Sequence, residues 1–396
     1  MRIIYLHQYY KTPEEGGGTR SYWIIQEMIK KGFHVTLITS RNCFSIKPYS
    51  FEKNPNLNIY YINNSYNNDF GFFKRVFSFL KFSFFSTFIC LLEKKCDFIY
   101  ATSTPLTIGI PALFTKLIRR INYIFEVRDL WPDAPIELGY IKNTFLILFL
   151  VNMEKLIYKH SKLIITLSPG MKLGVLNKCK DVNKIHMVPN MAKIDVFKPR
   201  KHNLELAKNL KINIDILNIV YFGAMGYSNG IKNLFPLFLE IKERRLEVAF
   251  HFIGEGSEKI YLQEFIEINN LKNVNIYSSM SLYDISEFVN LCDISLVTFE
   301  KYKILDTNSP NKLFDSLSAG LALIVNSNGW TKDLVLNENI GFHFDLNDVN
   351  TCVDDLIPFI YNKNLLNEFK FNSRKLAEEK YDKDIQINHL LKIINI

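Results

Sequence analysis

Short runs of β-branched, aliphatic and aromatic residues alternate along the chain with longer segments whose apolar positions recur at helical spacing, and the alternation occurs twice. In the first half the runs Arg2–His7, His34–Ile38, Ile59–Ile62, Phe98–Ala101, Asn122–Val127, Leu163–Leu167 and Lys184–Val188 predict strands. Helices are predicted near Arg20–Lys31, Phe72–Leu92, Pro105–Arg119, Thr144–His160 and Gly170–Lys178. Strands separated by helices of about ten residues or more imply parallel pairing with right-handed crossovers. Their near-continuous apolar character implies helices on both faces of the sheet.

Residues Asn190 to Leu217 break the rhythm with Pro199, Arg200, Lys201, His202 and Asn203, and an interdomain linker is placed there. A second series follows, with strands at Asn218–Phe222, Val248–Ile253, Val274–Tyr277, Asp293–Thr298 and Ala322–Val325. Its helices fall near Ile231–Arg244, Ser257–Asn269, Ser281–Val289, Asn311–Ala319 and Thr331–Leu336, and the tail from Val349 reads as two or three more. The fold class is therefore α/β, with two Rossmann-like, doubly wound parallel-sheet domains facing a central cleft. The domains are drawn at 1–195 and 196–380, with a helical tail at 381–396 that packs back on the N-terminal domain. Ligands of such sheets bind at the carboxyl ends of strands, so chemistry is expected where those ends meet.

At roughly 150 residues per domain, 396 residues suit two domains. A chain 48% hydrophobic and 22% charged is not disordered. The net charge of +8 hides an asymmetry: residues 1–200 carry 28 basic and 14 acidic side chains, and 201–396 carry 20 and 26. The first half thus faces something anionic, a phosphorylated ligand or a lipid surface, since it has no arginine-rich recognition helix for nucleic acid. Six scattered cysteines (43, 90, 96, 179, 292 and 352) show neither zinc nor C-x-x-C spacing and read as reduced thiols of a cytosolic protein. The N-terminal apolar run is too short for a signal peptide, and Lys74, Arg75 and Lys81 interrupt the Phe-rich stretch that comes nearest to a membrane span.

Four constellations carry chemistry. Gly16-Gly17-Gly18-Thr19-Arg20, between the first strand and first helix, allows close backbone approach to a phosphate. Arg128-Asp129-Leu130-Trp131-Pro132-Asp133 crowds charge and an indole at a buried strand's carboxyl end. The structural alternative is an Arg128–Asp129 or Arg128–Asp133 tie holding the loop. Gly223 and Gly226 repeat the phosphate-cradle logic in the second domain, and Gly254-Glu255-Gly256 provides a surface against which a base or sugar can lie. Finally, Asn308-Ser309-Pro310-Asn311-Lys312-Leu313-Phe314-Asp315 opens a helix with a lysine in its first turn, where the helix dipole disfavours a cation unless an anion arrives. A Lys312–Asp315 surface pair is the bland reading of the same residues.

The glycine-rich first loop, the Rossmann-like repeat and the P-N-K-x-F-D segment followed by small residues resemble glycosyltransferase family 4, retaining enzymes of GT-B fold. Gly16 to Tyr22 together with Arg128 to Asp133 look most like the bacterial branch that builds O-antigen and capsule repeat units, N-acetyl-L-fucosamine transferases among them. The resemblance implies that Lys312 binds the donor pyrophosphate, Asp315 the ribose, and Asn308, Ser309 and Asn311 the transferred sugar. It places Gly17 and Gly18 at the donor phosphates and Asp129 beside the reacting carbon. The catalytic pair is then Asp129 and Lys312, with donor contacts from Gly223, Gly226, Gly254 and Glu255. Two departures stand out. Thr307 occupies the position of a usual first glutamate, and the Arg/Lys pair common after the Gly223–Gly226 turn is missing, leaving Lys232 as a distant candidate.

The implied reaction moves a sugar, N-acetyl-fucosamine or a related N-acetylated one, from a nucleoside diphosphate (UDP favoured) to a polyprenyl-diphosphate-linked acceptor. The expectation is that it needs neither metal nor cofactor, Asp382-Lys383-Asp384 being set aside as a solvated helix face. Arg128 and Trp131 are assigned to the acceptor, and Lys74, Arg75 and Lys81 to reversible contact with the anionic inner face of the plasma membrane. Two rivals remain: a sugar-nucleotide epimerase of the same fold, and a non-catalytic nucleotide-sugar-binding subunit.

Overall fold

The computed structural model describes residues 1–42, 47–65 and 70–394. It divides into two compact units: Met1–Lys11 with Gly18–Pro189 and the chain end from Ile387, and Thr12–Gly17 with Asn190–Gln386. The boundary thus falls at Pro189/Asn190, where the expected linker begins. Membership also divides the first glycine loop, with Gly17 in the second unit and Gly18 in the first.

The first unit is built from β1 (Arg2–Leu6), α1 (Arg20–Lys30), β2 (His34–Arg41), β3 (Tyr49–Asn54), β4 (Leu57–Asn63), α2 (Phe72–Leu92), β5 (Phe98–Thr102), α3 (Gly109–Arg119), β6 (Asn122–Val127), α4 (Asp133–Glu137), α5 (Thr144–His160), β7 (Leu163–Thr166), α6 (Pro169–Leu176) and β8 (Ile185–Met187). Its eight-stranded sheet runs β3-β4-β2-β1-β5-β6-β7-β8. Every pairing is parallel except β3 with β4, a hairpin at the edge that the hydrophobic pattern did not announce. The reason is burial: five of the six β3 residues are exposed, so no apolar face exists to be read.

The second unit comprises α7 (Leu204–Leu210), β9 (Leu217–Phe222), α8 (Phe235–Glu243), β10 (Val248–Ile253), α9 (Lys259–Ile268), β11 (Val274–Tyr277), α10 (Leu282–Val289), β12 (Ile294–Val297), α11 (Asn311–Ala319), β13 (Ala322–Val325), α12 (Trp330–Asn337), β14 (Gly341–His343), α13 (Val349–Tyr361), α14 (Asn367–Leu376) and α15 (Lys383–Ile393). Its sheet is wholly parallel in the order β11-β10-β9-β12-β13-β14. Phe250 and Phe252 pack against Phe238 of α8, and Tyr221 stacks on Phe252, all within the core of this unit. The expected linker contains a helix, α7, capped by the Asn203 side chain.

Sidedness on α2 differs from the expectation. Ser78 is buried, accepts a hydrogen bond from Asn64 and lies at 3.4 Å from the Gln8 amide, whereas Arg75 and Lys81 are half-buried and Lys74 is exposed, so the basic side chains border the buried face of the helix. Phenylalanines occupy the solvent side instead. The five described cysteines are free thiols, four of them buried; Cys43 lies outside the described residues.

Candidate active site

In the second unit, β9 ends at Phe222 and the chain passes through Gly223 (φ +124°), a conformation that favours glycine. Beside it stands Lys312, in the first turn of α11. A Cβ on Gly223 would lie 3.3 Å from Lys312 Cε and 3.5 Å from Nζ. The ammonium is shielded from solvent, sits 3.6 Å from the centroid of the Tyr221 ring, and makes no hydrogen bond. Burial pushes its pKa down to about 7. The ring face is an imperfect substitute for an anion, so this is a cation held ready at a helix N-terminus, where backbone N–H groups also point outward.

Asp315 does not pair with Lys312, contrary to the bland expectation. Its carboxylate is buried and ion-paired with the equally buried Lys193, from the segment leading out of the first unit's last strand. Burial raises the Asp315 pKa, and Lys193 opposes the shift. One oxygen assigned to a ribose therefore already has an internal partner. The sugar segment next to it keeps unused capacity: Ser309 Oγ is buried without a partner, while its carbonyl accepts from the Asn190 amide at 2.5 Å. The Asn308 carbonyl accepts from Trp330 Nε1 at 2.7 Å, and Asn311 begins α11. Thr307 closes the preceding 3-10 turn by donating to the Ile304 carbonyl.

The glycines divide by what surrounds them. At Gly254 a Cβ would stand 1.9 Å from the Gly223 carbonyl oxygen, and at Gly256 2.4 Å from the Met225 backbone. The expectation that these two make room for a base or sugar is corrected: they make room for the protein's own chain, where the Gly223 and Met225 amides bond to the Ile253 and Glu255 carbonyls. Glu255 itself is a surface partner of Lys259. At Gly226 a Cβ would meet only the Asn229 amide at an ordinary 3.8 Å, and Gly17 (φ +85°), with nothing within 4 Å, needs glycine for conformation alone. Lys232 lies over the Tyr261 ring and 3.7 Å from the buried Glu258 carboxylate, which keeps it engaged locally.

In the first unit, the end of β6 separates its charges. Glu126 turns into the core, where Arg20, Tyr100 and Thr102 hold both carboxylate oxygens; Arg20 also binds the Val188 and Pro189 carbonyls. Arg128, half-buried, reaches His7 at 3.3 Å, not Asp129 or Asp133 as the loop-tie alternative had it. Burial and the Arg128 charge hold His7 well below its ordinary pKa, so the imidazole is neutral. Asp129 accepts a hydrogen bond from Thr104 at 2.8 Å, and burial raises its pKa. Asp133 pairs instead with Lys178, which also neutralises the buried Glu154. Trp131 packs edge-on against Phe79 of α2. The strand ends thus bring together Arg128, Asp129 and His7, the last overlooked because a lone histidine at a strand end carries no motif. On α2, Lys74 lies 5.7 Å over the Phe70 ring, Arg75 donates to the Phe70 carbonyl and Lys81 is half-buried. Asp382 caps α15 and Lys383 reaches Asp195, so the D-x-D pair is occupied at a helix start.

Two Rossmann-like parallel sheets, with a buried cation at one helix N-terminus, define the class as GT-B. Residues 204–376 match the family Glycosyl transferases group 1. The protein is thus a glycosyltransferase carrying a group 1 domain over that span. Among solved structures it is similar to sucrose-phosphate synthase from Thermosynechococcus elongatus (TM-score 0.79, 13% identity, 100% of this chain and 98% of that one covered). It is also similar to HepE of Anabaena in complex with UDP-glucose (TM-score 0.70, 14% identity, 100% and 99% covered). A third, WaaG, described as a glycosyltransferase involved in lipopolysaccharide biosynthesis, gives a TM-score of 0.71 at 12% identity with 99% of each chain covered. At such identities the likeness establishes the fold. No curated protein sequence matches the chain.

Proposed function

We propose that this glycosyltransferase takes a sugar from a nucleoside diphosphate, UDP foremost, and transfers it with retention to a polyprenyl-diphosphate-linked saccharide during assembly of a bacterial O-antigen or capsule repeat. The observation that carries the donor half is the buried, unpaired Lys312 ammonium beside Gly223 and the N-terminus of α11. HepE solved with UDP-glucose, and WaaG with its lipopolysaccharide role, support the nucleotide and the pathway class. In the reaction the anomeric C–O bond to the diphosphate breaks with its electron pair going to the leaving oxygen. The acceptor hydroxyl oxygen bonds to the same carbon face, and its proton passes to the departing diphosphate. Lys312 and the first-turn N–H groups neutralise the charge that develops, while Asp129 orients the acceptor; no metal or cofactor is assigned a step.

A thermal-shift panel of UDP-, GDP- and dTDP-sugars identifies the donor, because a ligand bound only by the native state stabilises it by mass action. Lys312→Ala should lower turnover at least a hundredfold while leaving the melting temperature unchanged or higher. Wild-type turnover in that variant would reject the assignment. Donor incubated without acceptor should only hydrolyse slowly; rearrangement to an epimer would replace transfer by epimerisation.

A further inference from the structure

One layer of the first unit turns large apolar side chains outward. Phe77, Phe84 and Phe88 of α2, Leu117 and Ile118 of α3 and Phe145 of α5 are between 48% and 85% exposed. These helices are neighbours: α3 packs on both α2 and α5, and α5's Ile157 comes so close to α3 that a Cβ on Gly109 would stand 2.5 Å from it. The apolar side chains therefore belong to one surface, larger than the scattered exposed residues of ordinary proteins.

Its charge is equally one-sided. Lys74 of α2 and Lys155 and Lys159 of α5 are exposed, and Arg75, Lys81, Lys116 and Arg119 are half-buried. The single carboxylate on all three helices, Glu154, is buried and paired with Lys178. A surface that joins apolar bulk to positive charge, and presents no negative group from these helices, complements an anionic lipid bilayer.

Resting on the lipid-linked acceptor proposed above, we propose that α2, α3 and α5 form one membrane-inserting face. Its phenylalanines and leucines enter the acyl boundary of an anionic bilayer, while the basic side chains reach the phosphates. Insertion of apolar bulk, not adsorption of a basic stripe on α2, holds the protein there.

The test is flotation of the full chain with vesicles of phosphatidylcholine and phosphatidylglycerol, at low salt and at about 0.5 M NaCl, where exposed charges are screened within a few ångströms. The wild type should float in both, losing less than about threefold at high salt. Phe77→Ser/Phe84→Ser/Leu117→Ser should reduce flotation at least tenfold in both, while its melting temperature and its thermal shift with UDP-glucose stay as in the wild type, these side chains being exposed. Wild-type protein that stays off the vesicles or floats only at low salt, or a triple variant that floats normally, overturns the proposal. So does a wild-type dimer in light scattering that the same substitutions make monomeric without change in flotation, since a second copy would then cover the face. Protein that binds a UDP-sugar but ignores vesicles refutes this inference alone. Protein that floats but binds no nucleotide sugar refutes the functional reading alone.

Discussion

Raising the pH from 7 to 8.5 should weaken donor binding about fifteenfold. The Lys312 ammonium, out of solvent and over the Tyr221 ring, has its pKa lowered to about 7 in the free protein. A diphosphate in contact would return it towards the ordinary lysine value near 10.5. Binding then requires the protonated form, so affinity scales with the protonated fraction, about one half at pH 7 and about 3% at pH 8.5. That ratio corresponds to roughly 1.6 kcal/mol. Calorimetric titration with UDP-glucose, in two buffers of different ionisation enthalpy, measures the proton directly: uptake of about half a proton at pH 7, rising to nearly one at 8.5. In Lys312→Gln both the uptake and the pH slope should vanish. Uptake near zero at pH 8.5, with affinity changed less than twofold, would refute the reasoning. The stability of the free protein has the same origin. The unfolded chain binds more protons than the folded one between pH 7 and 10.5, so this group makes stability rise with pH across that window.

Two further outcomes concern the frame around this lysine. Lys193→Met leaves the Asp315 carboxylate buried without its cation and should cost about 3–5 kcal/mol in denaturant unfolding, while Lys193→Met/Asp315→Leu should recover most of it; a single variant as stable as wild type would show that the pair is not the buried tie described. Gly254→Ala should prevent a stable fold or lower the melting temperature sharply, because the new methyl meets the Gly223 carbonyl. Gly17→Ala, with open space around it, should cost only about 1 kcal/mol of backbone strain in the same melt.

Periodicity was legible wherever one face of an element is buried along its whole length. β6, β10 and β13 and helices α2, α5 and α11 stand at the limits their patterns predicted, since burial selects apolar residues at the element's own period. Where burial gives no stripe the pattern was silent: the exposed hairpin strand β3, the three-residue β14, and the polar helix α7 inside the presumed linker. Motifs likewise pointed to Lys312, Arg128 and Asp129, which stand at a helix start and just past a strand end.

Order along the chain thus carried the two series of strands and helices, the stations where chemistry gathers and the positive excess of the front half. It could not say which charges meet. Lys193 and Asp315 are 122 positions apart, Arg20 and Glu126 106, and His7 and Arg128 121. Nor could it separate Gly254, pressed against Gly223, from Gly17, which faces open space. Such pairings depend on which strands become neighbours in a sheet and how closely their ends approach. Residue period reports only whether a position is buried, whereas the identity of its neighbour, and with it the charge state of a buried lysine, is set by packing between segments distant in the chain.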